Sequence, residues 1–435
     1  MKITFIGAGS TIFAKNVLGD LILTKEIGKF DIALYDIDLV RLEESFVMLS
    51  KLNRKYNGLA KIRKFQNRKE ALRDAKYIVN AIQVGGYEPC TVWDFEIPKK
   101  YGLKQTIGDT LGIGGIMRAL RTIPVLEEIA KDIKEVCPNA LFINYSNPLS
   151  ILTGYLIEHL GVNAIGLCHS VQVCVKGLFE TFDMMNYYKN HKSKICGINH
   201  QAWLLELTDK DGNDLYQEVK KRSLSGKYIK EMQWDLVRLE IMQRFGYYVT
   251  ESSEHTSEYT PFFIKDKYPD LIEEMNIPID EYLRRCEKQI SEWDELKVKL
   301  VDSDDIEHVK SNEYVADIIK AIETNGSYTL HGNVINKGKI TNLPSSACVE
   351  VLCTVDSNGI SPVKMGELPE QCAALNRLMI NVQLLTIKAA ISKNREDVYR
   401  AAYLDPHTFS ELSLTDTKDM CDELLDIEKD WHQIK

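Results

Sequence analysis

"KITFIGAGSTIF", residues 2–13, decides how the rest of the chain is read. Lys2–Ile6 is a short apolar run that suits a strand. It passes straight into Gly7-Ala8-Gly9-Ser10, and an amphipathic helix is predicted from Phe13 to about Leu23. A second apolar run, Ile32-Ala33-Leu34, ends at Asp36, 27 positions after Gly9. Strand, glycine turn, helix, strand and distal acid are the ordered parts of a dinucleotide-binding unit. The glycines let the backbone turn tightly and approach a pyrophosphate. The helix that follows presents unpaired N–H groups and a positive dipole end to it. An Asp at the end of the second strand accepts hydrogen bonds from ribose hydroxyls and repels a 2′-phosphate, which favours NAD over NADP. The pattern departs in one place, because Ile12 stands where G-x-G-x-x-G has its third glycine. Gly7, Ala8, Gly9, Ser10 and Asp36 are the candidate cofactor-binding residues.

The alternation continues downstream. Leu59–Phe65 is predicted as a third strand, Lys69–Ala75 as a short helix, and Lys76–Val84 as a fourth strand ending at Gly85-Gly86. Ile123–Asn139 reads as a helix stopped by Pro138. Ala140–Pro148 is a fifth strand, Ala164–Ser170 a sixth, and Val171–Met184 the helix behind it. Strands alternating with helices predict an α/β fold: a Rossmann-like, doubly wound parallel sheet over residues 1–185. Ligands of such sheets bind beyond the carboxyl ends of the strands, so Gly85-Gly86, Asn147 and Cys168-His169 should share one crevice. After residue 185 the pattern changes. A strand is predicted over Ala202–Leu207, a helical arm over 209–245 and a charged amphipathic helix over Asp270–Lys299. Short strands follow near 328–357, with helix from Leu368 to Tyr403. Residues 186–435 thus read as a mixed α+β catalytic domain, and the whole as malate/lactate-dehydrogenase-like.

Composition narrows the function classes. The 435 residues are 44% apolar and 27% charged, with a net charge of −9. An acidic chain with no Lys/Arg-rich block argues against a nucleic-acid partner. No apolar run approaches the length of a membrane span. The N-terminus lacks a signal-peptide pattern, and the ten cysteines show no CxxC. Reduced thiols in a cytoplasmic protein are the expectation.

Four stretches carry candidate chemistry. In "GLCHS", residues 166–170, a cysteine adjoins a histidine, and His200 follows in "GINH". Metal ligation, a nucleophilic thiolate and a structural role are all open. Strand alternation points neighbouring side chains apart, which counts against a Cys168–His169 dyad and favours Cys168 converging with His200. In "SNPLS", residues 146–150, Asn147 reads as a rim amide or as a helix N-cap. The glycine-rich "IGDTLGIGGIMRALRTIP", residues 107–124, reads as a substrate lid bearing Asp109, or as a plain connection with a solvated Arg118/Arg121 pair. In "GYYVTESSEHTSEYTPFF", residues 246–263, Glu251, Glu254, His255, Glu258 and Tyr259 crowd a stretch with no regular periodicity.

Together with "GGYEPCT" and "NLPSSACVEV", these motifs resemble the family 4 glycosidases along nearly the whole chain, and within them the melibiase-type α-galactosidases. The resemblance implies NAD and Mn²⁺ as cofactors and hydrolysis of α-galactosides by transient oxidation at C3, deprotonation at C2, elimination and water addition. This family is an exception to two-carboxylate glycoside hydrolysis. The resemblance makes Cys168 and His200 metal ligands, Asn147 a substrate-binding residue, His169 the acid and Tyr259 the C2 base; Asp109 is a candidate substrate-binding residue from the lid reading of its loop. At the position of His169 the phosphosugar members carry Asp. A thiolate ligand would by itself suit Zn²⁺ better than Mn²⁺. Homodimers or homotetramers are also implied. Three readings compete: an α-galacturonidase of the same family with Arg118 or Arg121 on the carboxylate, an NAD-dependent dehydrogenase of malate/lactate type, and a non-enzymatic NAD sensor.

Overall fold

A computed structural model describes residues 1–303 and 305–435. One sheet runs through the molecule. Its strands are β1 (Lys2–Ile6), β2 (Phe30–Tyr35), β3 (Ala60–Phe65), β4 (Tyr77–Asn80), β5 (Leu141–Asn144), β6 (Ala164–Gly166), β7 (Lys192–Ile198), β8 (Gln201–Thr208), β9 (Tyr248–Val249), β10 (Tyr328–Ile335), β11 (Cys348–Asp356) and β12 (Gly359–Pro362). The spatial order is β3-β2-β1-β4-β5-β6-β10-β11-β7-β8-β9, with β12 on β11. The first six pair in parallel, in the order of a dinucleotide-binding half-and-half sheet. Everything beyond β6 is antiparallel. This is the expected parallel sheet continued by a mixed α+β half.

Burial explains the strand sequences. All four residues of β4 are buried, as a strand covered on both faces requires. At the edge, β3 (AKIRKF) exposes its lysines and its arginine, which blunts the open edge. At the seam between the halves, Gly166 of β6 pairs with Asn333 of β10, and Gly197 of β7 with Glu350 of β11. A Cβ on Gly166 would stand 2.6 Å from Thr153 Oγ1, so only glycine permits the approach.

Several predicted elements need correction. The fourth strand ends at Asn80 rather than Val84, because the Asn80 amide bonds Asn144 Oδ1 and Ser146 Oγ and the chain then leaves the sheet. The helix predicted from Ile123 begins at Gly112 and runs to Val136 with Pro124 inside it. Its glycines are not a flexible lid. A Cβ on Gly114 would meet Gly108 O at 2.3 Å, and one on Gly115 the Thr110 carbonyl carbon at 2.7 Å. Residues 246–263 contain a helix, Ser253–Glu258, where no periodicity predicted one. Ser252 caps it by accepting a bond from His255 N. The single helix expected over 270–299 is broken into Asp270–Glu274, Glu281–Ser291 and Trp293–Lys297. Pro278 removes a donor at the first break, and Asp280 adopts φ 61°. Asn147 is not a helix cap: the following helix, Leu149–Glu158, takes Pro148 in that place.

Candidate active site

The parallel strands deliver their carboxyl ends to one cavity of about 380 Å³. Ser10 and Phe13 follow β1, Ala81–Gln83 follow β4, Tyr145–Asn147 follow β5, and Leu167–His169 follow β6. Gln83 lines the cavity; Gly85 and Gly86, expected there, do not. The buried amides of Asn80 and Asn144, paired across β4 and β5, hold the strand ends in place.

The glycine turn is a tight cradle. Gly7 has φ 87°, and a Cβ on it would lie 2.6 Å from Ala81 O. On Gly9 a Cβ would lie 2.9 Å from Asp36 Oδ2. Asp36 stands at the end of β2 and accepts from Gly9 N (2.6 Å) and Asp38 N (2.9 Å). Ser45 braces the turn from behind by donating to Ala8 O at 2.6 Å. The helix Thr11–Leu23 starts here with no side-chain cap from Ser10, so its positive dipole end is directed at the turn. These residues fit a dinucleotide.

Across the cavity, Cys168 and His200 converge as expected, with Sγ 3.3 Å from Nε2. A third group joins them. Glu251 Oε2 lies 3.9 Å from the Cys168 sulfur and 3.6 Å from His200 Nε2. All three ligand atoms lie within 4.8 Å of one another, close enough to share a cation. His200 reaches in from a two-residue hairpin between β7 and β8 with φ 64°, a left-handed conformation uncommon for a non-glycine side chain. Burial pushes the Cys168 thiol far up. Burial alone would also raise the Glu251 carboxyl, but the His200 and His255 imidazoles face it and hold it below the usual range. Thiolate, imidazole and carboxylate make a donor set that fits a divalent ion. The carboxylate also shifts that set toward oxygen-preferring metals.

His169 points away from Cys168. Its Nε2 lies 3.1 Å from Glu313 Oε1, its Nδ1 lies 3.2 Å from Gln172 Oε1, and its ring stacks on Tyr314 at 5.7 Å. Burial would lower its pKa, but the Glu313 carboxylate more than offsets this and raises it. Asn147 donates to Asp109 Oδ2 at 2.8 Å, and both line the cavity. Burial opposes ionisation of Asp109; His255 and Arg118 overcome that and hold its carboxyl at about 2. Arg118 faces the cavity between Asp109 and Tyr282. Arg121, read as a solvated partner of Arg118, is instead fully buried between Asp94 and Glu428.

Residues 2–184 match the family 4 glycosyl hydrolase domain, and residues 195–408 match the family 4 glycosyl hydrolase C-terminal domain. The chain belongs to the family 4 glycosyl hydrolases. It is 56% identical to an α-galactosidase of Bacillus subtilis over 430 residues, 99% of this chain and 98% of that protein. The solved 6-phospho-β-glucosidase of Thermotoga maritima, with manganese, NAD⁺ and glucose-6-phosphate, superposes over 100% of both chains with TM-score 0.80 at 23% identity. A malate dehydrogenase of Plasmodium falciparum shares the fold over 90% of this chain and 99% of its own, with TM-score 0.54 at 14% identity.

Within this family 4 fold, Tyr259 is a site candidate buried away from the cavity. It lies outside the cavity lining and is 2% exposed; its ring centroid stands 6.3 Å from that of His200. Burial pushes its phenol well above the ordinary range. Two residues escaped their roles in sequence reasoning. Glu251 was visible only as part of an acid-rich stretch. Glu313 carried no local signal at all, since only the tertiary fold brings it to His169, 144 positions away.

Proposed function

We propose that this family 4 enzyme hydrolyses α-galactosides in the cavity between the glycine turn and the Cys168–His200 pair. The observation that carries the reading is that Ser10, Cys168 and His200 line one enclosure. The 56% identity to an α-galactosidase supports the sugar. In this reading Gly7, Ala8, Gly9 and Ser10 take the pyrophosphate of NAD, and Asp36 takes the adenosine ribose. Cys168 and His200 ligate Mn²⁺, with Glu251 completing the set. When bound, NAD⁺ takes and returns a hydride at C3, and the cation withdraws charge from the sugar's hydroxyl oxygens.

The protein's own groups do the rest. Asn147 donates to a sugar hydroxyl, and Asp109, held ionised, fixes that amide and accepts from a second hydroxyl. His169, whose protonated form the Glu313 carboxylate favours, gives its proton to the departing glycosidic oxygen. Tyr259 removes the C2 proton, a role that requires a cation at the Cys168–His200–Glu251 cluster to bring its phenol down. In this reading residues 1–185 hold the cofactor and supply Asp109, Asn147, Cys168 and His169, and residues 186–435 supply His200, Glu251 and Tyr259. Among the described residues no helix is long and apolar enough to cross a membrane, and all ten cysteines are free thiols. Both support residence in the reducing cytoplasm. The assembly proposed is a homodimer or homotetramer, read by the mass of the protein in solution.

The test is hydrolysis of p-nitrophenyl α-galactoside with NAD⁺ and Mn²⁺ each omitted in turn. Loss of activity on either omission is expected; activity that survives both overturns the mechanism. Steady accumulation of NADH would identify a dehydrogenase. Preference for the galacturonide, abolished in Arg118→Leu, would identify a galacturonidase.

A further inference from the structure

The end of β2 carries an apolar patch that the catalytic reading leaves unused. Ile37 is 88% exposed, Val40 67% and Leu39 51%, all beside the glycine turn. A Cβ on Gly9 would touch Arg41 Cβ at 3.1 Å, so the Arg41 stem rises directly from that turn. The Arg41 guanidinium lies 5.1 Å over the ring of Trp293, and Arg41 is otherwise exposed. Trp293 belongs to residues 281–302, a strap from the other half of the chain. Polar contacts hold this strap: Lys297 to Glu44 at 2.7 Å, and Lys51 to the carbonyls of Val301 and Asp302 at 2.8 and 3.0 Å. At its other end Tyr282 lines the catalytic cavity.

We propose that Arg41, flattened from behind by Trp293, is the platform on which the adenine of the bound dinucleotide stacks. This rests on the placement of NAD at the glycine turn. A guanidinium plane stacks on a purine face, and Trp293 fixes that plane before the ligand arrives. Ile37 and Val40 give the opposite edge of the base an apolar wall. The strap then meets both ligands, the sugar through Tyr282 and the nucleotide through Trp293, so binding at the adenine end steadies the segment that roofs the sugar.

Calorimetric titration of the full-length protein with NAD⁺ and with ADP-ribose tests this without turnover. Trp293→Ala should weaken both ligands by about tenfold, the scale of one lost base-stacking contact. Trp293→Phe, which keeps a ring, should restore most of the affinity. Arg41→Ala should match Trp293→Ala, and the double variant should lose little more. ADP-ribose should slow amide hydrogen exchange over residues 281–302 in the wild type and not in Trp293→Ala. Wild-type ADP-ribose affinity in both single variants, with unchanged melting temperatures, overturns the platform alone. If the unmodified protein binds neither ligand, the cofactor assignment fails and the platform with it.

Discussion

The glycine turn and the Cys168–His200–Glu251 cluster serve one cavity but are built in opposite ways. The turn is local: strand, glycines, helix and Asp36 all fall within the first 36 residues and are fixed by backbone geometry. The cluster is assembled at a distance, from the second residue after β6, a strained hairpin before β8, and the second residue after β9. A backbone-made site tolerates most side-chain changes and fails when a Cβ enters it. A side-chain-made site tolerates backbone drift poorly and fails when any ligand atom is lost.

That contrast can be broken at several points. The largest effect is expected from Cys168→Ser with Mn²⁺ present. Losing several kcal/mol of charge stabilisation should lower kcat/KM by about a thousandfold, while NAD⁺ affinity by calorimetry stays near wild type. Equal loss of NAD⁺ binding would show that the two sites are not separable. Glu251→Gln should weaken Mn²⁺ by about 10- to 100-fold, read by metal titration of the apoprotein; unchanged metal affinity would remove Glu251 from the set. Gly7→Ala should do the reverse of Cys168→Ser. It should spare Mn²⁺ binding, abolish measurable NAD⁺ binding and destabilise the fold by about 1–3 kcal/mol through a side chain forced into φ 87°. Denaturant unfolding checks the last figure.

The smallest effect tests a buried ion cluster that is in neither the glycine turn nor the Cys168–His200–Glu251 set. Arg121 is buried with two carboxyls, Asp94 and Glu428, and burial raises both, so the pair retains a proton that the unfolded chain gives up. In that pH range the folded state binds more protons than the unfolded one, and stability therefore falls as pH rises above the ordinary carboxyl range. The slope is about 1.4 kcal/mol per pH unit while the proton is kept. Glu428→Gln should flatten it, as thermal melts across pH would record. An equally steep slope in the variant would place the proton elsewhere.

The same contrast explains what could be read from the sequence. The parallel half was legible because most of its strands, β1, β2, β4 and β5 among them, are short apolar runs and the segments between them carry helical periods. Cys168 and His200 were legible because both stand at strand ends, where a sheet of this kind gathers its ligands. Glu251 and Glu313 were not, since a carboxylate in a polar stretch looks solvated until the fold buries it. The helix from Gly112 was misread because glycine signals flexibility in isolation. Here it answers a demand for close packing against Gly108 and Thr110 that only tertiary contacts impose. The break at Pro278 divided a segment whose charge pattern read as continuous helix.

The single sheet has a mechanical consequence. Because β6 joins β10 and β11 joins β7 within one sheet, no flexible joint separates the glycine turn from the Cys168–His200–Glu251 cluster. A clamshell that swings two bodies together around a sugar is unavailable to this molecule. The strand ends that carry the glycine turn, Cys168 and His200 belong instead to one hydrogen-bonded framework. The sheet acts as a jig, and the strap of residues 281–302, which lies outside it and reaches the cavity through Tyr282, is a piece that can shift without disturbing the strands.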